Sequence, residues 1–297
     1  MPAAPSAYGR AVAWMIVACV AFATLWVLIR LSAAELHPFV VVVWRNLMGL
    51  AWFAPLLLAA PGLLRRDRLA GHLKRAASGL VATFATFYAV ATAPLAAVLA
   101  INYSAPLFAT LGAVLFLGER IRIYRTLALV AGFAGVLLVL RPGATAPSPG
   151  LLAAVVSALA TAVSLVAIKA LTDTDDPRAV AAWSFVLTAP ASIPVALPFW
   201  SWPSPGLWPL LVGLGAAAAA GQLALARAFA LADASAVMPY DFVRFGLVTL
   251  AGILLFGERA DLLTLLGGTL ILGSAIAIAL RERRRPTSTR AAGPPAT

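Results

Sequence analysis

The sequence predicts an all-α integral membrane protein, with ten transmembrane helices arranged as two inverted five-helix repeats. Hydrophobic residues make up 62% of the chain and charged residues 11%, with a mean hydropathy of +0.96. That is too little polar surface to cover a soluble globule of this size. Ten apolar runs, each near the roughly 20 residues a helix needs to cross a bilayer, are joined by connections too short to hold a folded domain. The third observation is a repeat: Leu117-Gly118-Glu119-Arg120 returns 139 residues later as Phe256-Gly257-Glu258-Arg259. The same offset places Pro38 on Pro177, Trp44 on Trp183, Pro55 on Pro194 and Arg30 on Lys169. One ungapped register across both halves marks an internal duplication.

The first repeat covers residues 11–140. Its opening run, Ala11 to Ile29, is longer than the apolar core of a signal peptide and has a partner at Gly150 to Ile168, so it is read as a retained helix. Cys19, the single cysteine, excludes an internal disulfide and a multi-cysteine metal site. The second span, Pro38 to Ala60, carries Trp44, Arg45 and Asn46, with Pro55 as an expected kink. Arg65, Arg66, Arg68, Lys74 and Arg75 then form a predicted basic loop before the third span, Ala76 to Thr92, which holds Phe84, Phe87 and Tyr88. The fourth, Leu95 to Leu117, contains Asn102 and Tyr103 and an expected break at Pro106. Gly118 suits a left-handed helix cap and Glu119 the positive end of the next helix, so the Gly-Glu-Arg pair is read as helix punctuation. The fifth span ends near Leu140, and Arg141 to Pro149 links the halves.

The second repeat covers residues 150–280. After the uncharged sixth span, an acidic turn with Asp173, Asp175 and Asp176 leads to the seventh, Val180 to Phe199, which contains Pro190, Pro194 and Pro198. Trp200 to Trp208 resemble an interfacial belt. The eighth span, Leu210 to Leu231, includes Gln222 and Arg227; the ninth, Ser235 to Phe256, includes Tyr240, Asp241 and Arg244; the tenth runs from Leu262 to Leu280. Thr269, Gly273 and Ala277, with Ala128 and Gly132 on the fifth span, offer small surfaces for close helix packing. Residues 281–297 are a basic tail read as disordered.

With both termini in the cytoplasm, 16 of the 22 basic residues fall on that side, three on the other and three within spans, as the positive-inside rule requires. Five helices per repeat make the halves enter the membrane in opposite senses. Two inverted halves rocking about a central site expose it to each side in turn, which is the working principle of many secondary transporters.

At this point the chain resembles the drug/metabolite transporter superfamily, specifically its ten-helix members made of two EamA-type repeats. The residues that carry the resemblance are Trp26, Arg30, Pro38 and Arg45, Gly118-Glu119 after the fourth span and Gly257-Glu258 after the ninth. The likeness extends from about Ala11 to Leu280. Val27 stands where the family usually has glycine, and Leu165 and Ser184 occupy the second-repeat positions of Trp26 and Arg45. The resemblance implies a carrier whose cavity is lined by helices one to four and six to nine, with the fifth and tenth to the side. It does not imply one substrate, since the family moves amino acids, nucleotide sugars, vitamins, purines and cationic drugs.

A charge inside a span costs about 2.5 to 3.5 kcal/mol on insertion scales and usually faces a cavity or a partner. Arg45, about two turns from the outer end of its span, either snorkels outward or binds substrate. Arg244 lies near mid-span, where Asp241 three residues earlier also offers a neutralising partner. Arg227, near the cytoplasmic end, reads as structural. The repeat register maps Asp241 onto Asn102, so polar groups approach the pseudo-symmetry axis from both halves. The candidate substrate site is Arg45, Asn102, Tyr103, Asp241, Arg244, Tyr240, Trp44, Tyr88, Trp183 and Gln222.

Three arginines against one aspartate favour an amino-acid-like or other carboxylate- or phosphate-bearing metabolite. The alternative, a drug or organic-cation efflux carrier, would call for an unpaired membrane glutamate, and none is found. Proton coupling through Asp241 is disfavoured by Arg244. A membrane enzyme is also disfavoured: His37 and His72 are read as loop residues on opposite sides, and the spans hold no nucleophile–base constellation. A channel would show a continuous polar helix face. No catalytic residue, metal or cofactor is expected; the partners are a small-molecule substrate and the lipid bilayer, not nucleic acid. The expected state is a monomer or homodimer, multi-pass in the inner membrane.

Overall fold

The computed structural model describes residues 5–64, 67–105, 108, 123–140, 148–232, 237–258 and 262–283. Among them are ten α-helices: α1 (Pro5–Ser32), α2 (Pro38–Ala59), α3 (Leu69–Thr92), α4 (Leu95–Asn102), α5 (Ile123–Leu140), α6 (Pro149–Thr172), α7 (Pro177–Ala196), α8 (Trp208–Leu231), α9 (Phe242–Phe256) and α10 (Leu262–Arg283). The first Gly-Glu-Arg copy, Pro106, most of the linker between halves, Arg65 and Arg66, and the tail from residue 284 lie outside the described residues.

Corresponding helices of the two repeats start alike. Proline occupies the first position of α2 and α7, where a missing N–H costs nothing. The residue before each caps the helix: His37 accepts from Phe39 N at 3.3 Å, and Asp176 from Arg178 N at 2.8 Å. Side-chain hydrogen bonds from Arg178 hold the Asp176 carboxyl below its ordinary range. Five stretches, Tyr8–Ser32, Pro38–Ala59, Pro149–Thr172, Pro177–Phe199 and Pro205–Leu231, are long and apolar enough to cross a membrane; Val243–Phe256 and Leu262–Ser274 are shorter apolar helices.

Several boundaries differ from the sequence reading, and three of them bear on the site or the tail. Helix α3 begins at Leu69 rather than Ala76 and takes His72, Lys74 and Arg75 out of the predicted loop. No proline interrupts Leu69 to Ala76, the single Gly71 is tolerated within a helix, and helical phase places His72, Arg75, Ala76 and Ala82 on one buried face. The ninth span is not one continuous α-helix: Met238–Asp241 form a 3-10 turn before α9 begins at Phe242, with Pro239 unable to donate within it. Helix α10 runs on to Arg283, past the expected end at Leu280.

The helices pack across the repeats rather than within them. α1 lies along α8 and, by the same symmetry, α6 lies along α3; α2 meets α7 and α8, and α5 and α10 pair with each other. Close approach depends on glycine at a few crossings. A Cβ on Gly215 of α8 would stand 2.3 Å from the Met48 Cβ and 2.8 Å from the Gly49 nitrogen of α2, and one on Gly135 of α5 would stand 2.6 Å from the Gly267 carbonyl oxygen of α10. The α5–α10 contact therefore does not turn on the predicted Gly273, where a Cβ would meet nothing within 4 Å.

The second Gly-Glu-Arg copy has a different partner from the one expected. Gly257 adopts the left-handed conformation, φ +63°, and lets Glu258 N turn back to donate to Gly252 O at 3.0 Å. Glu258 then serves the first repeat, not the helix that follows it. Its Oε2 accepts from Leu95 N at 2.8 Å, at a helix start that has no side-chain cap of its own, and its Oε1 lies 3.2 Å from Arg30 Nη2. Arg30 also donates to the Val90 carbonyl and, at 2.8 Å, to the Ala93 carbonyl at the end of α3. One carboxylate thus ties α1, the end of α3 and the start of α4 to the end of α9.

Glu258→Ala removes an acceptor from two donors, and hydrogen bonds to charged groups are worth roughly 1.5–3 kcal/mol each. Its melting temperature in detergent is expected to fall by several degrees, at ~2–4 °C per kcal/mol. Glu258→Gln retains an acceptor oxygen and is expected to lose less; equal melting of both variants and wild type would remove this tie from the stability of the fold.

Candidate functional site

A cavity of about 190 Å³ opens between the repeats. Its wall is built by symmetry: Phe22 and Thr161, Leu25 and Ser164, Trp26 and Leu165, Ile29 and Ile168, Arg45 and Ser184, Thr83 and Gln222, Thr86 and Leu225, Asn102 and Asp241, and Ala105 and Arg244 all line it, and each pair is related by the repeat register. The pseudo-two-fold axis therefore passes through the cavity. Backbone breaks meet there too, since α4 stops at Asn102 and the 3-10 turn stops at the equivalent Asp241. Broken helices at the repeat interface are where transporters of inverted design place their substrate.

Four charged side chains line the cavity. Arg244 Nη2 contacts Asp241 Oδ2 at 2.6 Å, one turn apart, and the guanidinium stands over the rings of Phe22 and Tyr103 at 5.8 and 5.5 Å. Asp241 also receives the Cys19 thiol at 3.7 Å, and its backbone carbonyl accepts the Tyr103 hydroxyl. That corner is internally neutral.

The other two arginines have only neutral partners among the described residues. Arg45, 4% exposed, donates from Nη1 to Asn46 Oδ1 at 2.6 Å and lies 4.8 Å over the Phe185 ring. It is buried within the bundle. Arg75, also 4% exposed, donates from Nη2 to Gln222 Oε1 at 2.8 Å, bridging α3 and α8. The Nε of each has no hydrogen-bond partner among the described residues. Behind the wall, the buried Ser157 joins two lining residues: its Oγ donates to Asn102 Oδ1 at 2.9 Å and lies 2.5 Å from Thr86 Oγ1, while Asn102 Nδ2 has no partner among the described residues.

Of the residues singled out from sequence, Arg45, Asn102, Tyr103, Asp241, Arg244 and Gln222 line the cavity, and Trp44, Tyr88, Trp183 and Tyr240 stand outside its wall. Each of those four is one residue from a lining position: Arg45, Phe87, Ser184 and Asp241. Successive residues on a helix point about 100° apart, so the neighbours of lining residues face elsewhere. Trp44 packs 4.8 Å from Trp208 in a cluster with Trp200 and Trp202; Trp183 stacks 5.5 Å from His72; Tyr88 lies 6.3 Å from Phe39; and the Tyr240 hydroxyl is 3.3 Å from that of Tyr8. Arg227 is also off the wall, 4.4 Å over the Trp14 ring.

Arg75, Ser184 and Thr188 line the cavity without having been singled out. The signal for Arg75 was the helical phase of α3, in which Arg75, Gly79, Ala82, Thr83 and Thr86 share one face. His72, expected in a loop, is a buried helix residue whose Nε2 lies 3.0 Å from Asp175 Oδ2 in the turn between α6 and α7, a further tie between repeats.

A helical bundle of two repeats, packed against each other across a shared, mostly apolar cavity that holds a few charged side chains, fits the class of inverted-repeat membrane transporters. The model of the EamA-like transporter family matches residues 9–141 and again 148–280, and the chain belongs to that family. It is an all-α integral membrane protein of two inverted five-helix repeats, one of the drug/metabolite transporters. A riboflavin transporter of Rhizobium johnstonii is 31% identical over 282 residues, covering 92% of this chain and 91% of its own. An S-adenosylmethionine uptake transporter of Rickettsia bellii is 26% identical over 278 residues, covering 93% and 96%. A solved crystal structure with 24% identity superposes with a TM-score of 0.65 over 93% of this chain and 98% of its own, which shows the same fold.

Asp241→Asn leaves the Arg244 guanidinium in the interior without its counter-charge, and breaking a buried pair from one side costs roughly 3–5 kcal/mol. We expect the detergent-solubilised variant to melt several degrees lower. Asp241→Asn with Arg244→Gln should recover part of the loss; additive losses in this double-mutant cycle would mean that the two residues are not coupled.

Proposed function

We propose that this chain is an alternating-access carrier, not an enzyme, for a small metabolite that joins a flat ring system to a carboxylate or phosphate. The observation that carries the reading is the pair of buried arginines, Arg45 and Arg75, facing one cavity without a carboxylate partner among the described residues. Asp241 is already engaged by Arg244, so the cavity has an excess of positive charge for an anion to answer. A ring fits the aromatic and apolar remainder of the wall, with Phe22, Trp26, Phe87 and Tyr103.

The relatives named for riboflavin and S-adenosylmethionine support the ring, since both compounds carry a flat heterocycle with a polar chain. They move the reading away from a plain amino acid, and riboflavin, which has no carboxylate or phosphate, does not itself support the anionic group, which rests on Arg45 and Arg75. The cavity, at about 190 Å³, is smaller than the roughly 300 Å³ at which small-molecule sites begin. Such a substrate enters only when the halves move apart, as alternating access requires. We place the carrier in the inner membrane with both termini cytoplasmic; the basic asymmetry favours this with Arg75 assigned to the cavity. The repeats are assigned to residues 11–140 and 150–280, with α10 of the second continuing to Arg283.

The test is thermal stabilisation of the purified protein by flavin mononucleotide, riboflavin, S-adenosylmethionine, amino acids and organic cations. Ligand at about 100 times its dissociation constant adds roughly 2.7 kcal/mol. A ring-bearing anion is expected to stabilise the wild type, with the shift lost in Arg45→Gln and Arg75→Gln. Stabilisation by organic cations alone would replace this substrate assignment with the drug-efflux reading.

A further inference from the structure

We propose that transport by this chain is exchange: the cavity passes between its two openings only with an anion on Arg45 and Arg75, so one anion leaves for each that enters. The inference rests on the reading of this cavity as the substrate site. It concerns the mode of transport, which neither the fold nor the relatives' names specify.

The argument is a charge balance over one closing cavity. Among its charged wall residues, Arg244 and Asp241 cancel at 2.6 Å. Arg45 and Arg75 do not cancel: each is 4% exposed, and each has an amide as its polar side-chain partner, Asn46 Oδ1 at 2.6 Å and Gln222 Oε1 at 2.8 Å. The ring of Phe185 offsets part of the Arg45 charge, not all of it. An arginine cannot relieve its burial by releasing a proton, as a lysine or histidine does.

Two fixed positive charges thus stay with the cavity wherever it opens. While it is open, entering water and counter-ions screen them. When the halves close over it, that solvation is lost, and removing ions from water without compensation is a steep penalty. A phosphate or carboxylate held by the guanidinium groups supplies the compensation in a low-dielectric setting where paired charges attract strongly. Closure is therefore accessible to the loaded cavity and obstructed for the empty one. A carrier that cannot return empty cannot give net flux of its substrate; it trades one bound anion for another.

The experiment uses the full-length protein in liposomes with flavin mononucleotide, whose phosphomonoester provides the charge, as the probe. Labelled flavin mononucleotide is expected to enter vesicles preloaded with the unlabelled compound at least tenfold faster than empty vesicles. Preloading with riboflavin, which has the ring without the phosphate, should give no such acceleration. Arg75→Lys, which keeps the charge, should preserve the loaded-to-empty ratio, whereas Arg45→Gln and Arg75→Gln, which lose the anion site, should lose the accelerated entry into loaded vesicles. Equal wild-type entry into loaded and empty vesicles would overturn the exchange proposal and leave the carrier standing. Absence of saturable entry in both would overturn the carrier reading for this ligand class, and the exchange inference with it.

Discussion

A charge held inside a membrane bundle has to be answered by an opposite charge, a polarisable surface or an incoming molecule, and the arginines of this chain divide along those lines. Arg30 is answered by Glu258 and two carbonyls, and the result is a tie across the repeats. Arg244 is answered by Asp241, and Arg227 lies over the Trp14 ring. Arg45 and Arg75 are left with amides and one aromatic face. Among the described residues these two are the buried arginines without a carboxylate partner, and both face the cavity.

The duplication explains how the frame holds together. Lys169, the register equivalent of Arg30, donates to the carbonyl of Phe229 at 3.2 Å, and Phe229 is the equivalent of Val90, whose carbonyl Arg30 contacts. The basic residue ending the first helix of each repeat therefore reaches the third helix of its own half in the same way. Because α1 packs on α8 and α6 on α3, each such contact sits at a seam between the halves. Glu258 and the His72–Asp175 contact add cross-repeat ties, so movement of one half against the other has to break them.

Much of this was legible in the sequence. Composition, run length and the register gave the bundle and its inversion, because burial in lipid demands long apolar helices and a single offset aligns both halves. The charged members of the site were legible for the same reason: an arginine or aspartate within an apolar run needs a purpose. Of the aromatic candidates Tyr103 lines the cavity and the other four do not. Trp44, Tyr88, Trp183 and Tyr240 each adjoin a lining residue, and only helical phase separates the two faces. Arg75 was obscured by the opposite error: its basic neighbours suggested a loop, although no proline stops a helix between Leu69 and Ala76 and the lone Gly71 is tolerated. The break before Phe242 depended on a proline in a segment where apolarity alone gives no hint of a 3-10 turn.

Symmetry of the backbone and asymmetry of the side chains have separate tasks in the cavity. Equivalent positions carry Arg45 and Ser184, Thr83 and Gln222, Asn102 and Asp241, and Ala105 and Arg244. A two-fold scaffold can be open on either side at similar energy, because each half can take the arrangement of the other. A strictly two-fold site would present equivalent groups to both halves of an asymmetric metabolite. Replacing one member of each polar pair leaves the scaffold's exchange of shapes intact and gives the cavity one chemistry in both states. The duplicated frame is shared with carriers named for different compounds, and the unlike residues at equivalent positions, Arg45 opposite Ser184 above all, are what set this cavity apart from a strictly two-fold one.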